Sequence, residues 1–262
     1  MNRLVDSLPP GARVLDMGAR SGSFSTTRRD ITVVRLDLEP PAGRKPGPYV
    51  AADAAGMPFA GGCFDAVISN HSLEHFLELE ATVREIGRVV RQPGALYVAV
   101  PDAGTFSDRV YRWLGRGGGH VNPFRAPEEV IALIERLTPL RHRATVQLTA
   151  SFSFLNSHNF TARPPRRIAL FAYGNEPCLA ILNAVLRRID RVFGTRLSVY
   201  GWAFHFGEAA PAEMDGPWIN VCVRCGAGAS EVFLRKTGMV RGRTYRCGTC
   251  GGFNLLERDS GG

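Results

Sequence analysis

The sequence predicts an α/β chain built on a mostly parallel sheet, followed by a small cysteine-bearing module. Three observations carry this. Val/Ile/Leu-rich runs alternate with helix-like segments over residues 12–104. The first run ends in an acid and a small-residue loop, VLDMGARSG. Two C-x-x-C pairs lie close together near the end of the chain. Strands that alternate with helices pair side by side in parallel, with the helices covering the sheet faces.

The strand candidates are RVLDMG, TVVRLDL, YVAAD, FDAVISN and ALYVAVPD, each bounded by Gly, Pro or Asp. A short helix is expected after the glycine loop, over about residues 23–30, although its Ser-Thr-Thr weakens it. Leu79, Val83, Ile86 and Val90 recur at helical spacing, and that helix stops at Gln92-Pro93-Gly94. A helix over 127–137 opens with Pro127 and the acids Glu128 and Glu129, which suit a helix N-terminus. Further strands are expected at 144–150 and 197–206. Between them lies an insertion, 151–196, with Pro164-Pro165 and a helix at about 177–193. One side of this helix carries Leu179, Leu182, Val185, Leu186 and Ile189, with Arg187, Arg188 and Arg191 nearby. Packing of that side onto the sheet is the expected use; contact with a membrane or a lipid-linked substrate is the alternative. The predicted organisation is a domain over 1–207, a linker over 208–217, a cysteine module over 218–256 and a tail over 257–262.

The chain has 262 residues, enough for one large domain and an appendage. Its 45% hydrophobic and 21% charged content is ordinary for a soluble globular protein. No apolar run approaches the roughly 20 residues of a membrane span, and MNRLVDSLPP lacks the apolar core of a signal peptide. A cytoplasmic location is therefore expected. Net charge is +8, yet residues 1–100 balance eleven basic against eleven acidic side chains. The excess lies beyond residue 100 and suits an anionic partner. Nearly all the bases are Arg, however, as a GC-rich genome produces, so the charge carries little weight.

The loop after the first strand narrows the ligand. Asp16 stands two residues before Gly18. A carboxylate about 4 Å from a diphosphate at low effective dielectric is repelled by several kcal/mol. The loop therefore suits a ligand that is cationic there, and S-adenosylmethionine, with a sulfonium and an ammonium group and no phosphate, fits. Asp37 ends the second strand, 19 residues after Gly18, where a carboxylate can accept both ribose hydroxyls. Asp53 ends the third, within reach of an adenine amine, and Asn70 ends the fourth. Strand ends on one edge of a parallel sheet form the crevice where ligands bind. Any one of these groups alone is more simply a loop cap; four at consecutive strand ends are not.

VLDMGARSG, LDLEP, ADAAGMPFAGGCFDAVISNHSLEHF and EIGRVVRQPGALYVAVPD resemble the successive motifs of class I S-adenosylmethionine-dependent methyltransferases. They are most similar to the broad group with a D-x-x-x-L-P-F…F-D-x-V…L-E-H signature. The resemblance covers about residues 10–104 continuously and thins to general layout as far as residue 206. It implies a Rossmann-like, seven-stranded, mostly parallel sheet with helices on both faces and a last strand running antiparallel. It also implies that Gly18, Ala19 and Gly22 approach the methionine moiety, that Asp37 with Leu38 meets the ribose, and that Asp53 with Ala54 meets the adenine. Asn70 and His71 would line the floor. Arg20 departs from the usual middle glycine; it is counted among the cofactor contacts, pairing with Asp16 or the cofactor's carboxylate, or else it points to solvent. Glycine at position 20 is expected to keep or improve binding; a tenfold loss would show that the arginine holds that carboxylate.

A methyl donor of this kind is already activated, so the protein mainly aligns an in-line nucleophile, worth about 7–11 kcal/mol in favourable cases. A hydroxyl acceptor also needs a base. His75, in L-E-H, and His120, on an expected flexible loop after Gly117-Gly118-Gly119, are the candidates, with His71 third. His75 recurs in the family signature whatever the substrate, so His120 is the better base. Tyr111, Trp113 and Phe124 suit either an apolar acceptor wall or the core under a lid helix.

Cys222-Val-Arg-Cys225 and Cys247-Gly-Thr-Cys250 are separated by 21 residues. Four thiolates in two such knuckles suit a tetrahedral structural zinc, a zinc ribbon. Gly226 and Gly251 supply the left-handed turns that aim N–H groups at sulfur. Such a tail is too small for a good core, so the metal is expected to hold it together. Cys63 and Cys178 remain as ordinary buried thiols.

The leading expectation is a methyltransferase acting on a small molecule or saccharide, at oxygen, with S-adenosylmethionine as cofactor and structural zinc. An RNA methyltransferase gripping nucleic acid with the ribbon and basic half is the second reading; no arginine–aromatic interleaving supports it. A non-catalytic scaffold whose ribbon recruits a protein partner is the third.

Overall fold

Buried strands and the helices that cover them dominate the chain, and their order follows the hydrophobic runs of the sequence. The computed structural model describes residues 1–19, 22–24, 26, 28–39, 47–114, 119–149, 152, 155, 175–208, 220–224, 227–248 and 250–258. In chain order the elements are α1 (Asn2–Ser7), β1 (Arg13–Met17), β2 (Thr32–Asp37), β3 (Tyr49–Ala51), β4 (Phe64–Asn70), a 3-10 turn (Leu73–His75), α2 (Leu79–Val89), β5 (Val90–Pro101), α3 (Phe106–Leu114), α4 (Pro127–Leu137), β6 (His142–Leu148), α5 (Glu176–Phe193) and β7 (Gly201–Phe206). The C-terminal segment adds β8 (Asn220–Val221), β9 (Gly228–Ala229), α6 (Glu231–Lys236), β10 (Val240–Arg241), β11 (Thr244–Arg246) and β12 (Phe253–Leu255).

Seven strands form one sheet in the order β3-β2-β1-β4-β5-β7-β6. β1 pairs in parallel with β2 and β4, β2 with β3, and β4 with β5. The middle strands bury both faces: every residue of β4 from Phe64 to Ser69 is buried, as expected of a sheet covered on both sides. Leu15, Met17, Leu36, Val67, Leu96 and Val98 join Val83, Ile86 and Val89 of α2 and Val130 and Ile134 of α4 in one apolar core. Phe124 belongs to this core.

The helix expected over 23–30 is absent among the described residues there. Thr26 Oγ1 instead accepts from Arg28 N at 3.1 Å, a local bond that competes with helix formation. Cys63 and Cys178 are partly rather than fully buried.

The chain divides into two compact units. The first comprises Met1–Pro101, His120–Thr145 and Trp202–Met214; the second comprises Asp102–Gly119, Val146–Gly201 and Asp215–Gly262. In the second unit, Leu179 of α5 is buried with Phe152, Leu155 and Val223, and Val110, Cys178, Leu182 and Leu186 pack around them. The apolar side of α5 thus packs with the C-terminal segment, which α5 meets again at β12. Val185, expected on that side, is exposed.

Candidate functional site

The parallel register aligns the strand ends of the first unit. Met17 lies opposite Leu36 and Ser69, Asn70 opposite Ala99, and Asp37 opposite Ala51. One edge of the sheet therefore carries the loop after β1, Asp37 at the end of β2 and Asn70 at the end of β4. Asp53 lies two residues beyond β3.

Asp16 is 1% exposed. Its Oδ2 accepts from Ser23 N at 2.9 Å, while its Oδ1 is buried without a hydrogen-bond partner among the described residues. Burial raises the Asp16 pKa, opposed by the Ser23 bond and by the Arg35 guanidinium. A buried oxygen of this kind is costly unless something donates to it, so the site fits a cationic ligand. Gly18 follows with φ +61, and a Cβ there would lie 2.5 Å from Ser72 Cβ. Only glycine allows both the left-handed turn and that approach. Ser72 Oγ donates to Met17 O at 3.2 Å and shares a 2.6 Å hydrogen bond with Ser69 Oγ. Ala19 is buried, its N–H donating to Leu36 O at 3.2 Å. Gly22 N donates to Ala19 O, and Gly22 also has positive φ, at +101. Arg20 lies outside the described residues.

Asp37 Oδ1 accepts from Leu38 N at 2.8 Å, and Asp53 Oδ1 from Ala55 N at 2.9 Å. Both acids shape their loops and stay accessible or half-buried; Leu38 is exposed and Ala54 buried. His71 takes a left-handed φ of 54, rare for a residue with a side chain and typical of functional sites. Its N–H donates to Ala99 O at 2.9 Å. Burial, with His120 and His75 nearby, pushes its imidazole down to about 4, which leaves it a weak base at neutral pH.

His75 and His120, 45 positions apart in sequence, come together with ring centroids 4.9 Å apart. The loop carrying His120, expected to be flexible, is tied at its far end. Val121 N and Asn122 N donate to Glu74 O at 2.8 and 3.1 Å. Asn122 Nδ2 donates to Leu73 O at 3.0 Å and Phe76 O at 2.7 Å. These bonds tie the loop to carbonyls of the short 3-10 turn, Leu73 O accepting from Phe76 N as well. Beneath the histidines lies Glu74, a buried carboxylate whose Oε1 is 3.8 Å from His71 Nδ1 and 4.0 Å from His75 Nε2. One donor atom each of Glu74, His75 and His120 lie within 4.8 Å of one another, a set that can orient protons or hold a divalent ion.

Ser72, Glu74 and Asn122 were not singled out in the sequence. Glu74 had a signal, as the acid inside L-E-H. Asn122 had none, because its partners lie 46 and 49 residues away. Tyr111 and Trp113 lie on α3 in the second unit, where Trp113 is exposed.

In the second unit, Cys222, Cys247 and Cys250 bring their sulfurs within 4.8 Å of one another. Cys225 and Gly226 lie outside the described residues. Arg224 N and Asn254 Nδ2 each donate to Cys222 Sγ at 3.4 Å, the polarity that stabilises a thiolate. A Cβ on Gly252 would lie 3.2 Å from both Cys222 Sγ and Cys250 Sγ. Gly251 has the expected left-handed φ, +69. Three converging sulfurs with N–H donors fit a soft divalent metal. Arg224 ties the knuckle to α5: its Nη1 donates to Cys250 O at 2.8 Å and its Nε to Glu176, whose other oxygen accepts from Phe253 N at 3.0 Å.

The family profile described as "Methyltransferase domain" matches residues 15–98, from β1 through most of β5. Over residues 15–98 the chain is similar to methyltransferase domains. An uncharacterized methyltransferase of Mycobacterium sp. (strain KMS) is 35% identical over 124 residues, covering 44% of this chain and 45% of that protein. A demethylmenaquinone methyltransferase of Beutenbergia cavernae is 38% identical over 98 residues, covering 34% of this chain and 41% of that protein. The chain thus spans about half the length of the curated relatives it matches. Among solved structures, a methyltransferase assigned to an antibiotic biosynthesis pathway of Anabaena variabilis has a TM-score of 0.51 at 20% identity, over 79% of this chain and 95% of that one. That likeness is one of fold. The aligned portion of the methyltransferase domain contains Asp16, Gly18, Ser72, Glu74 and His75; His120 and Asn122 lie beyond it.

Proposed function

We propose that the chain transfers a methyl group from S-adenosylmethionine to a small organic acceptor, at a hydroxyl oxygen. The observation that carries the proposal is Asp16, a buried carboxylate with one oxygen left for a donor beside the Gly18 turn. Asp16 would receive the cationic end of the cofactor, the backbone at Gly18, Ala19 and Gly22 would approach its methionine part, and Asp37 with Leu38 its ribose. Asp53 and Ala54 would border the adenine, with Asn70 and His71 on the floor. When bound, S-adenosylmethionine supplies an activated methyl on sulfur, so no further activation of the donor is asked of the protein.

On the acceptor side, His120 would take the hydroxyl proton. Asn122 holds the far end of its loop, and His75 and Glu74 lie beside its ring and fix its surroundings. His71, with its depressed basicity, serves the cofactor floor rather than proton transfer. The relative named as a demethylmenaquinone methyltransferase supports a small-molecule acceptor over a polymer. We propose further that Cys222, Cys225, Cys247 and Cys250 hold one structural zinc, which would cross-link the C-terminal segment without an open position for substrate.

Incubating the protein and labelled methyl donor with fractionated cell extract tests the acceptor class. Label in a small-molecule or lipid-quinone fraction supports the proposal. Label in RNA, or none in any fraction although the cofactor binds, contradicts it.

A further inference from the structure

Helix α5 is apolar on two sides, and among the described residues only one of them is covered. Leu179, Leu182 and Leu186 pack within the second unit. Around the helix from them, Ile181, Val185 and Val192 are 55%, 49% and 66% exposed. With Arg188 between the two valines, they follow the spacing i, i+4, i+7, i+11, which lays them along one stripe roughly 16 Å long. Phe193, 73% exposed, closes the stripe at the C-terminal end of the helix. A surface helix ordinarily turns charged side chains outward, and a contiguous apolar stripe on the outside marks an interaction site.

Charge and size identify the occupant. The stripe contains Arg188 and no acid. Arg191 and Arg196 lie beside its C-terminal half, more than half exposed even though they pair with Glu257 and Asp102. The acids of the helix point elsewhere. Asp190 accepts from Thr195 Oγ1, Leu197 N and Ser198 N, and Glu176 is held by Arg224 and Phe253 N. The outward field is therefore positive. Four side chains fall well short of the roughly 800 Å² per partner that a stable protein interface needs, so a second copy of the chain is a poor occupant. A lipid surface needs no complementary shape, only an apolar stripe with bases at its edge. No described helix is long and apolar enough to cross a membrane; α5 would lie in the interface.

We propose that α5 docks the protein onto an anionic lipid bilayer, burying Ile181, Val185, Val192 and Phe193 among the acyl chains with Arg188 at the headgroup phosphates. The proposal goes beyond the methyl-transfer reading and stands independently of it.

Flotation with phosphatidylcholine vesicles, with and without phosphatidylglycerol, tests it on the full chain. The expected result is binding only to the vesicles containing phosphatidylglycerol, weakened by salt. Val185→Glu with Val192→Glu should abolish binding, and Arg188→Ala should weaken it about fivefold. Both changes sit on exposed positions, and an unchanged melting temperature confirms that the variants fold. No flotation, equal flotation with neutral vesicles, or undiminished binding by the double variant overturns the proposal. So does a change of Val185→Glu from dimer to monomer in size-exclusion chromatography, which would assign the stripe to a second copy.

Discussion

The two units of this chain are held together by different means. The first has a continuous apolar core, in which Leu15, Met17, Leu36, Phe64, Val67, Ile86, Leu96 and Ile134 are fully or nearly fully buried. The second has a smaller apolar cluster and, among its described residues, buries several polar groups beside it. Asn183, Arg187, Asn220, Asn254 and Glu257 are all buried there. Arg187 Nε donates to Thr149 O at 2.8 Å, with Glu257 4.0 Å from its guanidinium. Burial lowers the Arg187 pKa, and Glu257 opposes that shift. Asn220 and Glu257 exchange hydrogen bonds at 2.9 and 2.7 Å. A core of this second kind depends on its polar members finding partners, and a metal at the cysteines would add a cross-link to the same segment.

The sharpest way to break the comparison is to chelate the metal proposed at the cysteines. A structural zinc contributes about 10–16 kcal/mol in small domains at neutral pH. A strong chelator should therefore expose amides over 220–258 and also those of α5, which Glu176 and Arg224 tie to the cysteine knuckle. Amides of β1, β4 and β5 should remain protected. Hydrogen exchange read by mass spectrometry checks this, and equal loss in both units would erase the distinction drawn between them.

A smaller effect should follow from disturbing the first unit. Gly18→Val places a side chain in a left-handed turn against Ser72, a strain of roughly 1–3 kcal/mol. We expect a melting-temperature drop of several degrees and loss of cofactor binding, with exchange in α5 unchanged. Were the same variant to bind cofactor normally, the close approach of the β1 loop to Ser72 would not matter to the site.

The difference between the units also explains what the sequence could tell. Strands β1 to β5 were legible because their apolar runs are local signals, and Asp16, Gly18, Asp37 and Asn70 were legible because they sit at the ends of those runs. The helix expected at 23–30 is not seen among the described residues there, where Thr26 accepts from Arg28 N instead. In α5 the periodicity merged Val185, which is exposed, with Leu179, Leu182 and Leu186, which pack inward: it says that a face is apolar, not which neighbour covers it. Ser72, Glu74 and Asn122 depend on partners brought close only by the fold, and the tie that fixes the His120 loop rests on carbonyls 46 and 49 residues away.

The account turns on Asp16 receiving a cation. Its pKa is raised in the folded protein without ligand, so its contribution to stability is present below the ordinary carboxylate value, about 3.9, and is lost as pH rises through the raised value. Cofactor binding should show the opposite trend, because the ionised carboxylate is the form that holds a cation. The direct measurement is calorimetric titration with S-adenosylmethionine across pH, on the native chain and on Asp16→Asn. The account predicts saturable 1:1 binding that strengthens as pH rises through the raised Asp16 pKa. It predicts a loss of about 10–100-fold in the variant, the worth of a hydrogen bond to a charged group, without loss of melting temperature. Native affinity in Asp16→Asn, or no native binding at about 1 mM cofactor, would contradict it.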